Sequence, residues 1–202
     1  MKEAMNIVWL KRDLRLQDHL PFFEAENNSK CNYLPVYILE PSAMAYPDSS
    51  LRHVQFVYHS ILEMNSILAA FNRKVHILYG EAMEVFNSLN EQFDIQNVYS
   101  YQESGVKATW DRDKNVSSYL QKNGIKWTEF QRDGIIRGIK NRVNWDKNWF
   151  VAINSPLIIN VYSHNTEPLK SLPFDLPNSL EETLQKYPDS FQKAGESYAM
   201  RY

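Results

Sequence analysis

Residues 8–16 read Val-Trp-Leu-Lys-Arg-Asp-Leu-Arg-Leu, and Asp18 and His19 follow. A short apolar run passes directly into fixed charges: Lys11, Arg12, Asp13 and Arg15. In an open α/β sheet the carboxyl end of a strand is where ligands bind, because the loops there carry no packing duty. Three basic groups at that point, next to a helix start, suit an anionic or polar planar ligand. The same groups also suit a structural network in which Asp13 clamps Arg12 or Arg15. Exposed pairs of that kind contribute little energy.

Outward from this stretch, short apolar runs alternate with longer helical patterns. Strands are expected at residues 6–10, 34–39, 75–79, 97–101 and 126–130. The first four lack strict period-2 alternation, which suits strands buried on both faces. Helices are expected at residues 19–27, 51–71, 81–93 and 106–122. Asp18 is the expected N-cap of the first. The second carries Val54, Val57, Tyr58, Ile61, Met64, Leu68 and Phe71 at spacings of three and four, a single apolar stripe. Asn123-Gly124 supplies a left-handed stop for the fourth. The alternating order implies a three-layer, Rossmann-like α/β domain with a five-stranded parallel sheet and helices on both faces.

Beyond residue 130 the pattern changes. Residues 144–153 read as one more helix, with Trp145 and Trp149 at i,i+4. Pro156, Pro168, Pro173, Pro177 and Pro188 then punctuate an irregular stretch that reads as a linker wrapping over a surface. Residues 197–202 read as the first turns of a further helix.

Composition narrows the function classes. The 202 residues carry a formal net charge of −2, so global basicity does not point to nucleic acid. Basicity is local: residues 126–149 hold six Lys or Arg against three acids. That stretch interleaves with aromatics, which suits nucleic acid or, preferably, packing against another domain. Cys31 is the only cysteine, which leaves no internal disulfide or thiolate metal site and fits a reducing cytoplasm. Neither a signal peptide nor an apolar run of ~18 residues is present, so no membrane role is expected.

The six glycines, 80, 105, 124, 134, 138 and 195, form neither a dinucleotide fingerprint nor a P-loop. His19, His53, His59, His76 and His164 lack metal-ligand spacing, and no metal is expected. There is no nucleophile elbow, and no catalytic residue is expected in this chain. Glu103, after the fourth strand, offers a carboxylate to an amino-pyrimidine edge, or else serves as a solvent-facing acid. Glu40, after the second strand, is a similar case.

Residues 9–18 resemble the opening Arg-Asp-Leu-Arg-Leu segment of the photolyase/cryptochrome family, with His19 where many members have Asn. Gln102-Glu103-Ser104-Gly105 with Trp110-Asp111-Arg112-Asp113 resembles that family's Gln-Glu-Thr-Gly and Arg-Asp stretch. Residues 137–149 resemble Arg-x-Leu-Lys-x-Arg-x-x-Trp of one photolyase-like subgroup. Residues 191–199 resemble the Gln-x-Gly-Gly-Glu-x-x-Ala stretch that leads into the family's flavin domain.

The resemblance implies that residues 1–135 form an α/β antenna domain. Residues 136–202 would be an extension and interdomain linker toward a helical FAD domain absent from this chain. The antenna chromophore would be a deazaflavin, methenyltetrahydrofolate or another flavin. Lys107 and Ala108 stand near where some folate-binding members place Asn-Glu, which speaks against folate. By position the resemblance puts Arg12, Glu40, Arg52 and Glu103 at the cofactor. The full-length parent would be a deoxyribodipyrimidine photolyase, splitting cyclobutane pyrimidine dimers in damaged DNA with blue light, and this fragment alone would be inactive. Two alternatives stay open: a cryptochrome-type photoreceptor without repair activity, and a free-standing nucleotide- or flavin-binding domain.

Overall fold

Five strands form one sheet: β1 (Glu3–Leu10), β2 (Asn32–Leu39), β3 (His76–Tyr79), β4 (Phe93–Tyr101) and β5 (Lys126–Phe130). Their order is β3-β2-β1-β4-β5, and every neighbouring pair is parallel. The computed structural model describes residues 1–28, 30–135 and 140–201. β1 sits at the centre, and residues 5–10 of it are all buried. That explains a run apolar at every position but the buried Asn6, since both faces meet side chains rather than water.

The helices divide between the two faces. Met5, Ile7 and Trp9 of β1 share a core layer with Phe86 and Leu89 of α4 (Ala82–Gln92) and with Val116 and Leu120 of α5 (Lys107–Lys122). Val8 and Leu10 point the other way, toward Phe22 of α1 (Leu20–Asn27) and Ile61, Met64 and Leu68 of α3 (Leu51–Leu68). Each large apolar side chain so buried contributes about 1.5–3 kcal/mol. The result is the expected three-layer α/β arrangement. β5 lies at the sheet edge and is only partly covered.

Local details depart from the expectations. The N-cap of α1 is His19, not Asp18: the His19 Nδ1 accepts the Phe22 N–H at 3.2 Å. Asp18 is unavailable because its carboxylate accepts from the Ile158 N–H at 3.1 Å and from Arg15 at 3.3 Å. The stripe helix ends at Leu68 and tightens into a 3-10 turn over Ala69–Phe71, closed by Asn72 at φ 50°. Pro41–Met44 forms a short helix, α2, with Pro41 in its first turn.

The proline-rich stretch is not wholly irregular. It contains α7 (Asn178–Gln185), which packs Leu184 against Val54 and Tyr58 of α3. The other elements of this part are α6 (Trp145–Ile153) and α8 (Glu196–Ala199). α6 buries none of its residues. Arg137, Gly138 and Ile139 of the basic-aromatic stretch, and Tyr202, lie outside the described residues.

Residues 158–162 run back over the β1–α1 loop. The Asp18 N–H donates to the Ile158 carbonyl at 2.9 Å, and the Tyr162 hydroxyl donates to the Leu16 carbonyl at 2.6 Å. Asn160 receives the His19 N–H at 2.9 Å and returns a bond to the His19 carbonyl at 2.9 Å. This segment is therefore stitched onto the β1–α1 loop rather than draped across it.

Candidate functional site

The strand order reverses between β1 and β4, and the crevice beyond their carboxyl ends is the expected ligand position in such a sheet. Arg12, from the loop after β1, meets Glu103, from the loop after β4, at 3.1 Å. This pair bridges the switch point. Gly105 makes the close approach possible, because a Cβ there would stand 2.6 Å from Glu103 Oε1, 2.6 Å from Thr109 Oγ1 and 3.0 Å from Arg12 Nη2.

Beneath that pair lies a charge cluster built around Arg112 of α5. Its Nη1 donates to Glu40 at 2.7 Å, and its Nη2 reaches Asp113 at 2.9 Å and Glu103 at 3.5 Å. Burial alone would make the Arg112 guanidinium easier to deprotonate, but Asp113 and Glu40 outweigh it and hold the charge. Lys11 is buried alongside, 2.8 Å from Asp113 and 3.8 Å from Glu129. Burial pushes the Lys11 pKa down, and the attraction of Asp113 only partly opposes this. The Lys11 ammonium sits 4.4 Å from the centroid of Trp9 and 5.1 Å from that of Trp127, and Arg112 lies 5.0 Å from Trp9. Both cations therefore gain cation–π contact where water is excluded.

A second buried pair anchors the loop. Asp13 Oδ2 lies 2.7 Å from His19 Nε2, and Asp13 also accepts the Lys11 N–H at 2.9 Å. Because Nδ1 accepts the Phe22 N–H, Nε2 carries the ring hydrogen and donates to the carboxylate. Burial works to raise the Asp13 pKa, yet the hydrogen bonds from His19 and from the Lys11 amide hold it below the usual carboxylate range.

Above this floor opens a cleft of about 1190 Å³. Arg12 and Arg15 stand at its rim, Tyr37 and Leu39 of β2 and Val57 of α3 line it, and Ile158 closes one side. Its size, and its apolar walls set beside the charged β1–α1 loop, suit a small-molecule site. Burial pushes the Tyr37 hydroxyl up to about 12, so it stays a hydrogen-bond donor at any ordinary pH. The Arg12 side chain is 61% exposed and can turn toward an occupant.

The four residues placed at a cofactor by resemblance occupy different settings. Arg12 lines the cleft. Glu40 and Glu103 do not line it; they join Arg12 through the Arg112 cluster. Arg52 lies apart, with its guanidinium 4.7 Å from the Phe191 ring centroid. Arg112 and Lys11 are central here, yet the sequence alone gives them no separate role at the cofactor. The available signal is the Arg112-Asp113 pair on the helix that begins just behind Glu103. Among the described residues no group of three or more His, Cys, Asp or Glu has metal-binding geometry. No helix among them is long and apolar enough to cross a membrane.

Comparisons with known proteins agree with this arrangement. The chain is 22% identical over 171 residues to the deoxyribodipyrimidine photo-lyase of Buchnera aphidicola, covering 81% of this chain and 34% of the relative. Its fold is similar to that of a class III photolyase from Agrobacterium tumefaciens, with a TM-score of 0.72 and 22% identity, over 100% of this chain and 44% of that one. It is also similar to an archaeal photolyase from Sulfolobus tokodaii, solved with two FAD molecules, with a TM-score of 0.71 and 19% identity, over 98% of this chain and 45% of that one. The chain thus spans about a third of the curated relative and less than half of the solved structures. The DNA photolyase family model matches residues 6–138, which hold all of the sheet but the first three residues of β1, the Arg12–Glu103 bridge and the Arg112 cluster. The chain belongs to the DNA photolyase family.

Proposed function

We propose that this chain is the light-harvesting α/β portion of a photolyase, and that its cleft holds a flat conjugated dye. The cleft at the carboxyl edge of the sheet carries the reading. It combines apolar walls, a hydrogen-bond donor in Tyr37 and two guanidinium groups at the rim. Such a dye absorbs light and passes the excitation on without bond chemistry at its own ring. The residues present fit that demand. Arg12 and Arg15 bind anionic or carbonyl edges, Tyr37 donates to a ring acceptor, and the apolar walls exclude water. Arg112 pairs with Glu40 and Glu103, and Glu103 in turn holds Arg12 at the cleft.

A deazaflavin or flavin fits this cleft better than a folate, given Lys107 and Ala108. The S. tokodaii photolyase was described with two FAD molecules and a novel light-harvesting cofactor, which supports the flavin choice. We assign residues 1–135 to the antenna domain and residues 136–202 to the extension toward a helical FAD-binding part. In the full-length protein that part would split cyclobutane pyrimidine dimers in damaged DNA under blue light, and this chain alone would be inactive.

Two measurements test the reading. The chain is titrated with flavin mononucleotide, a deazaflavin and methenyltetrahydrofolate, and the dye's absorption and fluorescence anisotropy are followed. Saturable binding of a flavin or deazaflavin is expected, and no binding by any of the three refutes the antenna role. The full-length protein is then illuminated with dimer-containing DNA. Normal FAD binding without light-dependent loss of dimers turns the assignment to a cryptochrome-type photoreceptor.

A further inference from the structure

The last described helix is tied to the cleft by two carboxylates. Gly195 precedes α8 at φ 111°, and a Cβ there would stand 2.7 Å from Glu63 Cδ and 2.8 Å from its Oε2. The room left by the missing Cβ is taken by the Glu63 carboxylate, which comes from α3. It accepts the Glu196 N–H at 3.0 Å and the Ser197 N–H at 3.0 Å. Glu196 in turn reaches the β1–α1 loop, where its carboxylate accepts the Leu16 N–H at 2.7 Å and the Gln17 N–H at 3.1 Å. A chain of two carboxylates and four backbone donors thus links α3, α8 and the loop that carries Arg12 and Arg15.

This placement is specific to the cleft. Gly195, Glu196 and Met200 line one wall, while Arg12, Arg15 and Gln17 line the facing loop. The two segments joined by Glu196 lie 179 or more residues apart in sequence. α8 is not core, since Met200 is 77% exposed and α8 buries none of its residues, whereas the loop seats Leu16 in the core. Charge-assisted bonds to backbone donors are the strong, directional kind, so they hold α8 where apolar packing is thin.

We propose that Glu63 and Glu196 are positioning residues for the cleft's occupant: their clasp seats the α8 wall against the β1–α1 loop and thereby aims Arg12 and Arg15 at a bound planar dye. The proposal rests on the reading of the cleft as a dye site. Glu63 does not line the cleft and acts through α8, while Glu196 lines it but spends both its carboxylate oxygens on the loop. The clasp also makes the cleft's order depend on the segment leading into whatever follows residue 201.

The test uses the chain as it stands and the variants Glu63→Gln, Glu196→Gln and Glu196→Ala, with Gly124→Ala as a destabilised variant away from the clasp. Amide hydrogen exchange at Leu16, Gln17, Glu196 and Ser197 is read without ligand. Faster exchange at all four amides is expected in each clasp variant, including Leu16 and Gln17 when only Glu63 is changed. Flavin mononucleotide is then titrated. Loss of one such bond predicts roughly tenfold weaker binding for Glu196→Gln and more for Glu196→Ala. The bound dye's anisotropy should also fall, a change that loss of stability alone does not produce and that Gly124→Ala should not show. Faster exchange with unchanged affinity and anisotropy overturns the positioning role and leaves a merely structural clasp. Exchange at Leu16 and Gln17 that ignores Glu63 overturns the coupling. If the unmodified chain binds only one of the other two dyes, that dye is used for the titration; if it binds none of the three, the proposal falls together with the dye reading, and the exchange data still report whether the clasp exists.

Discussion

Replacing Arg112 with methionine removes a cation shared by Glu40, Glu103 and Asp113. The three carboxylates do not lose equally. Asp113 keeps Lys11 at 2.8 Å, and Glu103 keeps Arg12 at 3.1 Å. Glu40 keeps only a bond from the Ala82 N–H, at 3.3 Å, among its described contacts. The cost therefore concentrates on Glu40, a buried carboxylate stripped of its 2.7 Å partner. Breaking one side of a buried pair costs about 3–5 kcal/mol. For a chain of this length that corresponds to a fall in Tm of roughly 6–20 °C. Urea and thermal unfolding at pH 7 measure it directly. The double variant R112M/E40Q should recover at least half of the loss, because a neutral amide no longer needs the cation. An R112M protein within about 1 kcal/mol of the parent would refute the reasoning, as would an E40Q partner that recovers nothing.

Burial, aided by Lys74, pushes the His76 pKa from 6.5 down to about 4. Between those values the unfolded chain takes up a proton that the folded chain refuses. Stability should thus fall as pH drops from about 6.5 to about 4, by about 3 kcal/mol, and then level off on this account. His76→Phe should flatten that part of the slope in urea titrations at pH 7.5 and 4.5. Gly124 stands at φ 71°, and a Cβ added there would meet nothing within 4 Å. Gly124→Ala should therefore cost about 1 kcal/mol from the left-handed backbone alone, read from urea midpoints. Gly105→Ala should cost about 1–3 kcal/mol by overpacking and should also displace Arg12, visible as weaker flavin mononucleotide binding. Arg12→Gln should weaken that binding without lowering Tm, since the side chain is largely exposed; a large Tm loss would mean that the Glu103 pair is structural first.

The sheet is legible in the sequence because its central strand broadcasts its position. Met5, Ile7 and Trp9 serve one core layer and Val8 and Leu10 the other, so from Ile7 onward the run has no polar gap to hide it. The stripe on α3 is legible for the same reason. α7 is not, because two turns with Leu180 and Leu184 between Pro177 and Pro188 resemble a loop until Leu184 is seen packed on Val54 and Tyr58. The cap of α1 is ambiguous in sequence because Asp18 and His19 both offer a side-chain acceptor. Only Ile158, 140 residues away, shows that Asp18 is already engaged. The site is legible as a set of strand-end charges, but not as a network. Arg112 joins Glu40 across 72 positions, a contact that no local spacing announces.

The stitching of residues 158–162 and of Glu196 onto the β1–α1 loop has a consequence for biosynthesis. The ribosome delivers β1 first, yet β1 waits for β4 to cover its second edge, and until then an unpaired strand edge faces the cell. The loop after β1 waits longer still, because its amide and carbonyl partners emerge some 140 to 180 residues later. The loop after β1, made before the sheet's other loops, is thus among the last to acquire its final shape. A chain halted before residue 196 would carry a finished sheet and an unfinished cleft.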